Sequence, residues 1–244
     1  WFISLVPTQL QRFLAQPKAL EWLRAFRAVV IGGGPAWPEL LERAAEARLP
    51  LALSYGLTET AAMAAALRPE EFLSGLRSSG APLPHVRISA TEEGALCISG
   101  ESIFRGYFPE WRAEREFITG DLGSIDERGH IHVIGRRDDA IITGGKKVSP
   151  TEVETALRAT GEFGDVAVIG IPNSEWGQMV VAVYPISDHA PDFAKVRRAL
   201  SKRLAPHAVP KRFEAVLDWP RNAQGKLNRA ALTARVSTGA HPSG

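Results

Sequence analysis

Leu10, Phe13, Leu14, Leu20, Leu23 and Phe26 recur at roughly helical spacing over residues 8–27, as expected for one apolar face turned toward a core. Pro17 interrupts the run. Its ring removes a backbone donor and crowds the preceding turn, so the pattern predicts two helices rather than one. Ala28–Ile31 is apolar at every position and stops at Gly32-Gly33-Gly34. A short apolar run bounded by glycine reads as a buried strand that ends in a turn. Residues 38–48 are rich in alanine and leucine and predict a helix. Residues 51–54 predict a short strand running into Tyr55-Gly56. Strand and helix in alternation argue for an α/β layer.

From Val86 the texture changes. VRIS, GALCISG, FITGDLGSID and HIHVIG are short apolar runs separated by turn residues such as Glu93-Gly94 and Glu127-Arg128-Gly129, which predicts a β-rich subdomain. His130 and His132 alternate along the last run and are expected on one face. Arg136-Arg137-Asp138-Asp139 then places charges in a row, a plausible domain junction. Beyond it, Ser149 is placed to N-cap a helix over Pro150–Arg158, with Pro150 first and Glu152 closing a capping box. DVAVIGI and MVVAVYPI predict strands. Residues 191–204 predict a helix with Phe193, Val196, Leu200 and Leu204 on one face, and FEAVLD predicts a further strand. The loop PRNAQGKLNR follows, and STGAHPSG reads as a disordered tail. The expected organisation is 1–137, 138–232 and a flexible tail at 233–244.

Composition narrows the function. The chain has 244 residues, 45% of them hydrophobic and 23% charged, the profile of a globular protein with a real core. A net charge of +2 is too small to argue for a nucleic-acid partner. No run approaches the length of a membrane span and no signal peptide is visible, so no membrane association is expected. The single cysteine, Cys97, excludes a disulfide framework and a cysteine-rich metal site, and it fits a reducing, cytoplasmic compartment. The six histidines show no HxxxH or HExxH spacing. Trp1 is not a methionine and WFISLVPTQL reads like the interior of a fold, so the chain is expected to be a piece of a longer protein.

Five stretches carry groups suited to chemistry. In GGGP, Gly32 to Pro35, glycine at a strand end lets backbone approach a flat ligand, although an ordinary turn would use the same residues. SYGLTET, residues 54–60, brings an aromatic ring, a glycine, hydroxyls and a carboxylate to one strand tip. Tyr55 can stack on a base, Thr58 can bond a phosphate oxygen, and Glu59 is a hard oxygen ligand for magnesium held with phosphates. TGD, residues 119–121, offers a carboxylate able to accept from adjacent ribose hydroxyls, or is a plain Gly-Asp turn. In GRRDD, residues 135–139, Arg136 can reach a ribose or phosphate, while a solvated charge run is the commoner case. PRNAQGKLNR places Lys226 in a loop, where it is a surface charge unless the loop folds over an anionic centre.

Taken in order, GGGP, YGLTET, TGD, GRRDDAIITGGKKVSPTEVE and PRNAQGKLNR resemble the acyl- and aryl-CoA ligases, the adenylate-forming AMP-binding enzymes related to luciferases and to peptide-synthetase adenylation domains. The resemblance runs from about Val29 to Arg229 with similar spacing. It implies the second half of the large adenylate-forming domain, an α/β layer plus the β-rich subdomain, followed by a small mobile α+β C-terminal domain. It implies a reaction in two steps. A carboxylate attacks the α-phosphate of ATP, releasing pyrophosphate, and the thiol of coenzyme A then displaces AMP to leave a thioester. By position, Gly33, Gly34 and Tyr55 would line the adenine pocket, with Pro35, Gly56 and Arg136 also at the nucleotide, Thr58 on phosphate, Glu59 on Mg2+ and Asp121 on the ribose. Lys226 would act with Thr58 and Glu59 in adenylation. Asp138 would be the hinge that swings Gly144, Gly145 and Lys146 in to line the passage for coenzyme A.

Within the family, SLVPTQL, SYGLTETAAM and GGKKVSPTEVE look most like the o-succinylbenzoate–CoA ligase branch, which serves menaquinone or phylloquinone synthesis. The family's phosphate loop, of the form Ser-Gly-Thr-Thr-Gly, has no counterpart in residues 1–244. The N-terminal half of the same protein is therefore the expected partner, and the chain alone is expected to be inactive. The expected small molecules are a carboxylic acid, ATP and coenzyme A, and a homodimer is compatible. A ligase for another aryl or fatty acid, an adenylation domain that loads a carrier protein, and an inactive nucleotide-binding fragment are the alternatives.

Overall fold

Proline opens five helices: Pro7, Pro17, Pro38, Pro69 and Pro150 each stand at the first helical position. A fixed φ suits that place, and the missing N–H is one that has no partner within the helix anyway. The computed structural model describes residues 1–187, 190–221 and 227–237. It divides into two units, Trp1–Arg137 and Asp138–Gly244.

The first unit begins with β1 (Phe2–Leu5), α1 (Pro7–Leu14), α2 (Pro17–Arg24), β2 (Ala28–Ile31), α3 (Pro38–Glu46) and β3 (Leu51–Leu57). β1, β2 and β3 pair in parallel, Leu5 opposite Ile31 and Ile31 opposite Leu53. Such pairing needs crossovers, and the helices supply them. Leu10, Leu23, Leu40 and Phe72 pack against the sheet and are almost wholly buried. A 3-10 turn at Thr58–Thr60 leads into β4 (Ala62–Ala66), then α4 (Pro69–Leu73) and β5 (Ala81–Pro82). β4 and β5 complete the sheet in antiparallel fashion. A four-stranded antiparallel meander follows, made of β6 (Val86–Ala90), β7 (Ala95–Gly100), β8 (Glu116–Ile125) and β9 (Ile131–Arg136). Its apolar face, with Leu96, Ile98 and Ile131, packs against Tyr55, Ala64 and Ala65 of the first sheet.

The second unit holds β10 (Ile141–Thr143), β11 (Lys146–Val148), α5 (Pro150–Arg158), β12 (Ala167–Asn173), β13 (Gly177–Pro185), α6 (Phe193–Arg203), β14 (Arg212–Val216) and α7 (Arg229–Ser237). β12 and β13 are the centre of its sheet, with β14 parallel on β13. Successive side chains of a strand point to opposite faces. Val168, Val180 and Ala182 accordingly face α5 and α6, whereas Ala167, Ile169, Val181 and Val183 face α7 through Leu232 and Val236. Burial on both faces explains why these strands read as continuous apolar runs.

Several expectations need correction. Residues 233–237, read as tail, are helix with Val236 buried, and residues 238–244 lie outside the described ones. Thr119-Gly120-Asp121 is not a turn but lies inside β8. Of the capping box on α5, only the forward arm is made, Ser149 Oγ accepting from Glu152 N at 3.4 Å. No helix among the described residues is long and apolar enough to cross a membrane.

Candidate active site

In a sheet of this kind the carboxyl ends of parallel strands open a crevice for ligands. β2 and β3 end side by side, and polar groups cluster there. A Cβ on Gly32 would stand 2.5 Å from Ser54 Oγ, so glycine is what fits. Ser54 Oγ in turn donates to Ile31 O at 3.0 Å, tying the two strand ends together. Gly33 has φ of +78°, the left-handed region that glycine enters without strain. A Cβ on Gly34 would meet nothing within 4 Å. Neither packing nor dihedral angle accounts for that third glycine.

β3 carries the richer stretch. Tyr55 is buried between the two sheets, and its hydroxyl donates to Asp121 Oδ2 at 2.8 Å. Burial, and then the negative charge of Asp121, push the Tyr55 phenol well above its ordinary value, so it stays a donor. Gly56 marks a bulge between β3 and β4, where an added Cβ would lie 1.7 Å from Ala62 O. Thr60 is fully buried and structural, its hydroxyl bonded to Leu57 and to Ala62 O. Thr58 is exposed and Glu59 half-buried. Ala61 and Ala62 both have positive φ, +53° and +94°, which costs non-glycine residues of order 1–3 kcal/mol each.

Asp121 belongs to β8, directly opposite Arg136 of β9. Cross-strand partners share a face, and Arg136 Nη1 accordingly lies 3.5 Å from Asp121 Oδ1. Asp121 is only 6% exposed, and its backbone N–H donates to Thr119 Oγ1 at 3.0 Å. A carboxylate has about four lone-pair positions, so two contacts leave room for ligand hydroxyls. Glu59 is held differently. Its backbone carbonyl accepts from Phe104 N at 2.8 Å, and its Oε1 accepts from the Tyr107 hydroxyl. The Arg136 charge acts on both Tyr55 and Tyr107, which places Glu59, Asp121 and Arg136 in one neighbourhood.

The first unit thus brings together Tyr55, Asp121 and Arg136, with Thr58, Glu59 and the glycine turn at the same end of the sheet. Ser54, Phe104 and Tyr107 were not picked out from the sequence. The one signal is the aromatic run Phe104, Tyr107, Phe108 and Trp111 around Gly106 in a loop between two strands. Asp138, Gly144, Gly145 and Lys146 lie in the second unit, and Lys226 lies outside the described residues. The segment before it and the segment after it are joined by an antiparallel bridge between Arg221 and Leu227 and by Asn228 N donating to Pro220 O at 2.9 Å. Gly144 and Gly145 form the two-residue turn of the β10–β11 hairpin, with φ of +54° and +73°, the pair of left-handed positions that a type I′ turn demands.

Comparison with known proteins adds the decisive observation. The family model described as AMP-binding enzyme matches residues 2–108, and that described as AMP-binding enzyme C-terminal domain matches residues 152–226. The chain belongs to the AMP-binding enzyme family. Among curated relatives, the 2-succinylbenzoate–CoA ligase of Geobacillus kaustophilus is 37% identical over 94% of this chain and 50% of its own length. The o-succinylbenzoate CoA synthetase of Bacillus subtilis, solved with the acyl-adenylate intermediate OSB-AMP, is 30% identical with a TM-score of 0.80, covering 95% of this chain and 50% of that one. The same Bacillus enzyme solved with ATP and magnesium ion has a TM-score of 0.76 at 30% identity, covering 95% of this chain and 51% of that one. The chain spans about half the length of the curated relatives it matches and corresponds to their C-terminal portion.

A single carboxylate, Glu59, is the oxygen ligand that the first unit could offer a magnesium ion carried by nucleotide phosphates. Among the described residues no three His, Cys, Asp or Glu gather into a cage. Magnesium is commonly held by one or two carboxylates together with substrate phosphates, and Glu59 would be such a carboxylate.

Proposed function

We propose that the protein containing this chain is an ATP-dependent acyl-CoA ligase that acts on o-succinylbenzoate in menaquinone or phylloquinone synthesis. One carboxylate oxygen of the acid attacks the α-phosphorus of ATP, the bond to the β-phosphate bridge breaks, and pyrophosphate leaves. The thiol of coenzyme A then attacks the acyl carbon, its proton is lost, and AMP departs.

The observation that carries this is the placing of Asp121. A buried carboxylate, braced by the Tyr55 phenol and facing Arg136, sits at the end of the parallel strands where a ribose would lie. Gly34, where an added Cβ would meet nothing within 4 Å, would border the adenine. Arg136 would contact the nucleotide and Thr58 a phosphate oxygen. Glu59 would hold magnesium, which offsets charge on the phosphates. Lys226 would stabilise the carboxylate and α-phosphate during the first step. The second unit would then turn about Asp138 and bring the Gly144-Gly145 hairpin and Lys146 to the passage for coenzyme A, a domain-closure cycle. The names of the relatives support o-succinylbenzoate as the acid.

The test is carboxylate-dependent ATP–pyrophosphate exchange on the full-length protein, with o-succinylbenzoate, fatty acids and aryl acids compared. Exchange with o-succinylbenzoate alone is the expected outcome. Exchange with a different acid would keep the mechanism and discard the substrate, and silence with every acid would discard both.

A further inference from the structure

Glu59 would be the ligand for the cation, yet a glutamate side chain has several rotatable bonds and loses considerable entropy when it is fixed. The turn that carries it is also strained, since Ala61 and Ala62 both stand at positive φ. Something must hold this carboxylate in place, and residues 104–112 are built to do so. The Phe104 N–H donates to the Glu59 carbonyl at 2.8 Å, and the Tyr107 hydroxyl donates to Glu59 Oε1. One segment therefore grips Glu59 by its backbone and its side chain together.

The grip is itself rigid. The Arg112 N–H donates to Arg105 O and the Glu110 N–H to Tyr107 O, both at 2.7 Å, closing the loop on itself. Gly106, at φ +119°, lies so near Glu110 that an added Cβ would be 2.3 Å from its carbonyl oxygen. The Tyr107 ring meets Phe104 edge-on at 4.9 Å, and Phe104 meets Phe117 of β8 edge-on at 5.3 Å. Tyr107 is 62% exposed, so burial does not require a tyrosine there. Its hydroxyl has one partner among the described residues, and that partner is Glu59. Donation to Oε1 leaves Oε2 with no hydrogen bond among the described residues.

We propose that Tyr107 is a positioning residue: it orients the Glu59 carboxylate so that Oε2 is presented to the divalent cation that accompanies the nucleotide phosphates. The proposal rests on the function proposed above. Metal-binding carboxylates are generally held by such outer hydrogen bonds, and loss of one weakens metal binding.

The experiment uses the full-length protein and its variants Tyr107→Phe, Glu59→Gln and the double substitution. ATP binding is measured by titration calorimetry across a range of free magnesium, independently of turnover. In Tyr107→Phe the half-saturating magnesium concentration should rise roughly three- to tenfold, with ATP affinity in the absence of magnesium and the KM for coenzyme A both unchanged. Adding Tyr107→Phe to Glu59→Gln should have no further effect, because the group it positions is gone. An unchanged magnesium dependence in Tyr107→Phe would overturn the proposal. So would an equal loss of affinity with and without magnesium, or additive effects in the double variant, since these describe a general structural role. A wild-type protein without magnesium-dependent ATP binding would instead bring down the proposed function and this role with it.

Discussion

At the residue scale, the glycines separate into those the fold needs and those it does not. Gly56 has backbone of the neighbouring strand where a side chain would begin, 1.7 Å from Ala62 O. Gly56→Ala must push β4 away at the bulge, and overpacking of this kind costs about 1–3 kcal/mol. Gly34→Ala meets open space and should stay within about 0.5 kcal/mol of wild type, while weakening nucleotide binding. Urea unfolding of the full-length protein checks the first expectation and ATP titration the second; a large stability loss in Gly34→Ala would show a packing role instead. Residues of this sort are legible in sequence only as glycines. Which one answers to packing, which to dihedral angle and which to a ligand depends on atoms far along the chain. Asp121 shows the same split. Its type and the carboxylate's use could be read from TGD, but its place inside a strand could not, because Gly120 next to it reads as a turn until the pairing with β9 is known. The role of Tyr107 is not legible in the sequence for a related reason: its partner, Glu59, is 48 residues away.

At the scale of elements, periodicity carried most of the fold. The two helices flanking Pro17, the buried strand before GGGP and the apolar strands of the second unit all follow from spacing alone. β4 did not. AMAAA has no β-branched residue and would suit a helix by propensity; pairing with β3 and the cover of the second sheet decide it. The β10–β11 hairpin gives an element-scale prediction. Its glycines satisfy a type I′ turn, which asparagine also tolerates. Gly145→Asn should therefore leave the hairpin folded and adenylation intact, because a Cβ there meets nothing within 4 Å. If the hairpin lines the passage for coenzyme A, the added side chain should slow thioester formation from supplied acyl-adenylate. Measuring the two half-reactions separately decides the matter, and equal rates in wild type and variant would remove Gly145 from the passage.

At the scale of the whole molecule, the second unit turns on one buried charge. Glu154 is 2% exposed on the inner face of α5. Its Oε1 accepts from Val168 N at 2.8 Å and from Arg229 Nη2 at 2.7 Å. Arg229 also donates to Val168 O at 3.1 Å, so helix α5, strand β12 and helix α7 meet at this pair. Arg158 lies on the other oxygen, its Nη2 3.8 Å from Oε2, so Arg229 is the nearer of two cations; a buried carboxylate that loses its nearer partner is costly. Arg229→Gln should destabilise the second unit by about 3 kcal/mol, near the lower end for such pairs because the arginine side chain is 33% exposed and Arg158 still faces the carboxylate. Urea unfolding followed by fluorescence of Trp176 and Trp219 would report it, and a loss under about 1 kcal/mol would mean that the pair behaves like one on the surface.

That pair also sets an order of events during synthesis. Glu154 and Arg229 are 75 residues apart in sequence, so a ribosome emits the carboxylate long before its guanidinium. A chain broken off before residue 229 carries every strand of the second unit's sheet and keeps Arg158, 3.8 Å from Glu154 Oε2, but lacks the nearer guanidinium on Oε1. Without Leu232 and Val236 such a product also leaves Ala167, Ile169, Val181 and Val183 uncovered on one face of the sheet, an apolar surface that proteases and aggregation would find first.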